Sequence, residues 1–446
     1  MKKLSQTPIR GRVITTSHFP LRSTLLVEQP LLTWSSCCDD FASNLYTAFL
    51  NASKSNQELI LDFFHPDLTG ETDYLSSASS ASSALSLPTN HQSVTLLHTL
   101  LIIANFNAHN YTFASTSIPH SGLFHVASKF EHSCCPNVHG STSTSSMVYL
   151  ALSPLPVGTY VASSYLGPAL HLPLQDRREE LMETKYFHCQ CERCGGRDHC
   201  RPLFCALPTC EGVMLMCGRT EKWICGECEG VVDGDSDVIE EREAKEGELI
   251  SSLDDILRSF DSVAKHYDAL LGSLDSLRLL AAPTLPPLHH FWFTFHTSLS
   301  TLHALVAASA PQSTRNNHLI LSAMESFEAV EWKNEINNNI VSGTTKLQSR
   351  ALGDGSTAAV LKRGMRERIK QAYKRFEPCV GSVEEAYGAG MKFHEAGETE
   401  LAKIVLGPYV DFIEHAVMRE GDVRMDVVRG IVEEARRSGG KKKRRI

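Results

Sequence analysis

Nine of the fourteen cysteines fall between Cys189 and Cys228. That density constrains the chain more than any other feature. Met1 to Arg12 is basic, but no apolar stretch follows it, so a secretory signal is not expected. In a reducing compartment, closely spaced thiols mean metal rather than disulfides. Cys189-x-Cys191-x2-Cys194 offers three thiolates within six residues, one short of the four that structural zinc takes. A distant fourth ligand is needed, and Cys134 and Cys135 are the candidates. Cys205-x4-Cys210 and Cys225-x2-Cys228 make a second, complete set. Gly212, Gly226 and Gly230 supply the tight turns of a zinc ribbon, and Trp223 would cover its apolar side. Cys200 and Cys217 fall outside both frames and could replace a member. Neither set leaves an open position, so two structural zinc sites are expected and no catalytic metal.

The 446 residues are too many for one hydrophobic core, so two or three domains are expected. A net charge of −8 argues against coating nucleic acid, and few basic or aromatic residues surround the second cysteine set. The longest apolar run, Val94 to Phe106, is interrupted by His98 and is too short to span a bilayer. It reads as a buried helix. The last residues run Lys441, Lys442, Lys443, Arg444, Arg445 behind Gly439 and Gly440. An exposed basic tail of this kind suits a nuclear-import receptor.

Short β-branched runs, Arg12 to Ser17 and Ser23 to Glu28, predict strands, and about Asp39 to Phe64 reads as helix. The Ser/Ala-rich stretch Ser76 to Ser86 shows no periodic apolar face and reads as a flexible insert. Helical spacing resumes at Ser93 to Ala104, and strand-like runs follow at Leu123, Met147 and Tyr160. Asp233 to Glu243 reads as an acidic linker, and everything after Glu246 as helices. Ala386, Gly390, Phe393, Ala402 and Tyr409 suit two antiparallel helices packed through small residues, at a spacing like a tetratricopeptide unit. The expected organisation is an α+β chain: a strand-rich core in 1–38 and 93–195, split by a helical and Ser/Ala-rich insert, 39–92. A zinc-ribbon-like segment (196–232), an all-α domain (246–435) and the basic tail (436–446) follow.

One string carries more than periodicity. Glu131-His-Ser-Cys-Cys-Pro-Asn137 resembles the SET-domain signature Asn-His-Ser-Cys-x-Pro-Asn. Asn107 precedes it in Asn105-Phe-Asn-Ala-His, and Ser164-Tyr165-Leu166 follows like the Ser-Tyr element that ends the SET core. Tyr186-Phe187-His188-Cys189-Gln-Cys191-Glu-Arg-Cys194 looks like the post-SET cysteine cluster. Together with the second cysteine set and the helical C-terminal half, this resembles the SET-and-MYND methyltransferase family. The motifs cover roughly residues 100 to 195, and the resemblance implies the β-clip SET fold.

The resemblance also implies an activity: S-adenosylmethionine-dependent methylation of lysine side chains in proteins. It makes Cys134 the fourth ligand beside Cys189, Cys191 and Cys194. It places the cofactor among Arg12, Asn107, Ser128, Phe130, Glu131, His132 and Phe187, the last stacking on adenine. Tyr165 matches the tyrosine where cofactor and substrate lysine meet, and is the candidate catalytic residue. Implied partners are a protein substrate, with histone tails and cytoplasmic proteins both open, and proteins captured by the helical domain. The chain is expected to be monomeric, in nucleus and cytoplasm, with no membrane and no direct nucleic-acid partner.

Three departures bear on that reading. Glu131 stands where the signature has Asn. The N-terminal loop Arg10-Gly11-Arg12-Val13 has one glycine where two are usual. Cys37-Cys38 is all that the region of a MYND finger offers, which cannot form one. A catalytically weak or dead scaffold that binds partners through its helices is therefore the alternative, with a DNA-binding zinc protein behind it.

Overall fold

The computed structural model describes residues 4–6, 12–35, 41–66, 72–85, 91–112, 119–143, 146–259, 263–342, 369–373, 379, 382–410, 428 and 430–431. The basic tail and Cys37-Cys38 lie outside them. The described residues fall into two compact units: one within Met1–Tyr165 and Glu183–Tyr186, the other within Leu166–Met182, Phe187–Ile413 and Asp426–Ile446. The architecture is mixed α and β.

The first unit is built from short strands. β1 (Leu4–Gln6) pairs antiparallel with β2 (Val13–Thr15). β3 (Thr24–Glu28), β8 (Val138–Ser143) and β9 (Ser146–Ala151) form an antiparallel sheet in the order β3-β9-β8. β4 (Leu32–Ser35), β5 (His109–Thr112) and β6 (Pro119–Leu123) form another, β4-β6-β5. β7 (Glu131–His132) and β10 (Ala162–Ser163) make a two-residue parallel pair. Val13, Phe19, Leu25, Phe124, Phe130, Met147, Tyr149 and Val161 close one core over the β3-β9-β8 sheet. Burying such side chains contributes about 1.5–3 kcal/mol each.

Four helices, α1 (Phe41–Asn51), α2 (Lys54–Leu61), α3 (Thr72–Ala84) and α4 (His91–Asn107), surround a second core of Trp34, Leu45, Phe49, Ile60, Leu97 and Leu101. Helix α3 occupies most of the stretch expected to be a flexible insert. Among its side chains that are described, the buried positions are small: Ala78, Ala81 and Ser82, at helical spacing. Small residues let the backbones of α3 and α4 approach closely, and a search for large apolar residues misses them.

In the second unit, β11 (Leu203–Phe204), β12 (Val213–Cys217), β13 (Lys222–Cys225) and β14 (Val231–Asp233) make an antiparallel meander. Trp223 is 1% exposed and packs with Leu203, Met214 and Ile239, covering the apolar side as expected. The acidic stretch after Asp233 is a linker only at its start. From Asp237 it is already helix α7 (Asp237–Arg258), which buries Ile239, Glu246, Leu249 and Leu253. Acidic side chains in a first turn complement the helix dipole, so charge there marks a helix start as readily as a linker. Helices α8 (Val263–Ala281), α9 (His290–Ser309) and α10 (Gln312–Ser342) enclose Leu274, Leu277, Phe291, Trp292, Phe295 and Trp332. The last pair, α11 (Val383–Glu395) and α12 (Thr399–Leu406), meets through Gly390, where a Cβ would collide with Leu406. No described helix is long and apolar enough to cross a membrane.

Candidate functional site

The residues of the signature converge on the β7–β10 pair of the first unit. Register sets Glu131 beside Ala162 and His132 beside Ser163. Asn137 clamps the partner strand: its amide donates to the Tyr160 carbonyl at 2.7 Å and its Oδ1 accepts the Ala162 amide at 2.9 Å. Two residues of ladder would not hold a parallel pair alone, and the asparagine supplies the missing bonds. Tyr165 leaves β10 immediately afterwards and is tied back twice. Its backbone N–H donates to His132 Nδ1 at 3.0 Å, and its hydroxyl donates to the Phe130 carbonyl at 2.5 Å. The Tyr165 residue is 40% exposed, yet burial of its hydroxyl end, with Glu131 nearby, pushes the phenol up to about 12. It is a neutral hydroxyl throughout the physiological range.

The imidazole of His132 is committed. Its Nδ1 accepts from Tyr165, so the ring proton sits on Nε2, which faces Cys134 Sγ at 3.3 Å. The ring braces a candidate metal thiolate and leaves backbone groups for a ligand. Arg12 Nε donates to Glu131 Oε1 at 2.8 Å, and its guanidinium lies 5.4 Å from the Tyr160 ring centre. Both partners are part-exposed, so the pair contributes less than about 1 kcal/mol to stability.

The remaining candidates are held by contacts of their own. Ser128 closes a turn, its hydroxyl donating to the His125 carbonyl at 3.2 Å. Phe130 is 1% exposed; its ring is core, and its carbonyl is what the site uses. Asn107 ends α4 with its amide donating to the Phe64 and Ile103 carbonyls at 2.7 and 2.9 Å. Phe187 belongs to the second unit and is half-buried there.

Sequence reasoning missed Tyr149. It packs edge-on against Phe130 at 4.6 Å between ring centres and hydrogen-bonds Ser163. Its ring lies over Gly140, its register partner, where any Cβ would approach to 2.6 Å. That glycine opposite a tyrosine in adjacent strands was the one available signal.

The second unit holds the cysteines. The sulfurs of Cys205, Cys210, Cys225 and Cys228 all lie within 4.8 Å of one another. Cys205 and Cys228 are 3.6 Å apart, Cys210 and Cys225 3.7 Å. Four thiolates about 2.3 Å from a tetrahedral zinc stand roughly 3.8 Å apart, so this cage fits the ion. Burial pushes the Cys205 thiol up to about 12. At Cys225 burial is outweighed by the backbone amides of Cys228 and Glu227, which bring the thiol down to about 7. Cys189, Cys191 and Cys194 gather equally tightly within the same unit, with the fully buried Arg177 guanidinium 4.0 Å from Cys194 Sγ. Cys200 replaces no ligand; it is buried and accepts from Arg193 at 3.1 Å.

A third group of possible ligands, Glu246, His289 and His290, was not anticipated. Arg201 donates to both Glu246 oxygens, at 2.9, 3.0 and 2.6 Å. His289 caps α9 by accepting the Phe291 amide on Nδ1 and donates from Nε2 to Glu246 Oε1 at 2.9 Å. Its lone pairs are spent, so this is an ion-pair hub.

No protein-family profile matches the chain. Part of it is similar to curated proteins. A SET and MYND domain-containing protein of Dictyostelium discoideum is 40% identical over 70 residues, 16% of this chain and 18% of that protein. The human N-lysine methyltransferase SMYD2 is 29% identical over 101 residues, 22% of this chain and 23% of the relative. The Xenopus laevis N-lysine methyltransferase SMYD2-A is 28% identical over 97 residues. The chain therefore spans less than a quarter of the length of the curated relatives it matches. The likeness to SET and MYND domain-containing proteins and N-lysine methyltransferases is confined to 16–22% of this chain.

Proposed function

We propose that this chain is a SET-fold, S-adenosylmethionine-dependent protein-lysine methyltransferase. The observation that carries the reading is the convergence of Tyr165, His132, Phe130 and the Arg12–Glu131 pair on β7 and β10. A bound S-adenosylmethionine supplies a methyl group on a sulfonium, already a strong electrophile. The chain's own residues align an amine with it. Tyr165, neutral and held by the Phe130 carbonyl, orients the lone pair of a substrate lysine without competing for its proton. The lysine must arrive deprotonated, against a free value near ~10.4. An apolar surround and a neighbouring sulfonium both favour the neutral amine.

The Arg12–Glu131 pair fits the charged end of an amino acid. Nε of Arg12 is spent on Glu131 Oε1, which leaves the terminal guanidinium fork for a carboxylate and the second Glu131 oxygen for an ammonium. Glu131 in place of asparagine thus suits the cofactor's zwitterionic tail. Asn107 retains its side-chain oxygen as an acceptor, and Phe187 stacks on adenine. Cys134 completes the shell of Cys189, Cys191 and Cys194, giving a second structural zinc beside that of Cys205, Cys210, Cys225 and Cys228. The substrate is a protein with a lysine in an accessible segment, histone tails included, and the helical half captures partners. The basic tail directs part of the population to the nucleus, and the chain works as a monomer.

A second reading, an inactive scaffold, draws on the same pair. Arg12 and Glu131 already satisfy each other, and Asn107 already bonds two carbonyls. Calorimetric titration of the zinc-loaded protein with S-adenosylmethionine and its demethylated product separates the two. Micromolar affinity, about 8 kcal/mol, that is lost in Asn107→Ala supports the enzyme. Tyr165→Phe is expected to keep that affinity and lose roughly 100-fold in methyl transfer. No detectable binding would leave the scaffold.

A further inference from the structure

Strand β3 reads Thr24-Leu-Leu-Val-Glu28, and the fold treats its last two residues in an unusual way. Val27 is 62% exposed, whereas Glu28 is 8% exposed. A carboxylate turned inward beside an apolar residue turned outward reverses the pattern of a half-buried strand, and such reversals mark function or its support. The Glu28 carboxylate is matched to what it meets. Oε1 accepts the Val126 amide at 2.7 Å and Oε2 the Ala127 amide at 2.9 Å. The His125 amide adds a third donor. Burial pushes the acid up and these amides pull it back, so the donors stabilise the ionised form.

Those amides open the short 3-10 turn Ala127–Lys129, and Phe130, Glu131 and His132 follow directly. The turn's own backbone pairing is local: the N–H groups of Ser128, Lys129 and Phe130 donate to the carbonyls of Phe124, Val126 and Ala127. We infer that Glu28 is a positioning residue, a carboxylate staple that fixes the backbone from His125 to Ala127. It thereby sets the Phe130 carbonyl under the Tyr165 hydroxyl and Glu131 beside Arg12. The inference rests on the methyltransferase reading for its functional half and on geometry alone for its structural half.

Glu28→Gln tests both on the full-length, zinc-loaded chain. The amide keeps one acceptor oxygen and turns the other into a donor facing a donor. Hydrogen exchange over residues 124–132 is expected to quicken about tenfold, with β11–β14 unchanged, and S-adenosylmethionine affinity to fall by a similar factor. Glu28→Asp, which keeps the charge one methylene short, is expected to lie between Gln and wild type in both readouts. Wild-type exchange and affinity in Glu28→Gln would overturn the staple. So would exchange that quickens evenly across the whole chain, the mark of a merely structural acid. If Glu28→Gln does not fold, Glu28→Asp decides: wild-type values overturn the inference and intermediate values support it. If the wild type itself binds no cofactor, the methyltransferase reading falls, and exchange over 124–132 alone decides whether Glu28 holds the turn.

Discussion

Two groups in the second unit bring metal-capable atoms equally close together, and they are not alike. Cys205, Cys210, Cys225 and Cys228 have chiefly one another and a few backbone amides for company. Thiols are weak hydrogen-bond partners, so this cage gains far more from an ion than from its own contacts. Glu246, His289 and His290 are as close, but Arg201 covers both carboxylate oxygens and His289 has spent both ring nitrogens. Proximity of donors is therefore a poor criterion for a metal site. What decides is whether their lone pairs are already committed, and whether a cation already stands among them.

The largest effect should come from stripping zinc. Binding to structural thiolate sites is worth on the order of 10 kcal/mol, and most of it is folding energy. A strong chelator, or Cys225→Ser, should unfold the β11–β14 meander, seen as loss of exchange protection at Val213 to Cys217. Protection that survives metal removal would put the cysteine cage on the same footing as the Glu246 hub.

Breaking the hub should cost less. Glu246→Gln takes the buried carboxylate from Arg201 and leaves it the part-exposed Glu243 at 2.9 Å; losing one partner of a buried pair costs at most about 3–5 kcal/mol. Acid should do the same gradually. Burial pushes His289 down to about 4 from an ordinary 6.5, so the unfolded chain takes up the proton first. This contribution is full above pH 6.5, shrinks as pH falls through it and is gone by about 4. Glu246 acts in the same direction at lower pH: bonds from His289, His290 and Arg201 outweigh its burial and hold it well below the ordinary carboxylate range. A midpoint temperature that is flat from pH 7 to pH 4.5 would mean the hub is not coupled to folding.

The smallest expected effect is the sharpest test of the comparison. Elemental analysis should find two zinc ions per chain, and excess zinc should add no third and shift thermal stability by less than ~1 kcal/mol. A third ion lost in His289→Gln would show that the Arg201 lock opens.

How much of this could be read from the chain follows from the range of each interaction. Thiol spacing is local, so Cys205-x4-Cys210 and Cys225-x2-Cys228 were visible as one cage, and Trp223 as its cover. The order of the Glu131 to Asn137 motif, Tyr165 and the cysteine trio was visible in the same way. The helical character of Ser76 to Ala84 was not, because the buried side chains described there, Ala78, Ala81 and Ser82, are small. The start of α7 was hidden by its charges, although Ile239, Leu249 and Leu253 keep helical spacing. Tyr149 left Gly140 in the adjacent strand as its one signal, while Glu28 and the Glu246 hub escaped altogether. Each has a meaning only through a partner that the fold brings from elsewhere, and nothing in the neighbouring sequence announces that partner.

The bonds around β7 also say something about time. Phe130 is tied to a residue 35 positions on, the turn before it to one 98 positions back, and Glu131 to one 119 positions back. Contacts this non-local form late, after the loops between them have closed. On the ribosome, the turn cannot be completed until Tyr165 has emerged, long after Arg12 and Glu28 have been waiting in the open. The ribbon cage needs only the stretch from Cys205 to Cys228, and can close as soon as that stretch is free and zinc is at hand.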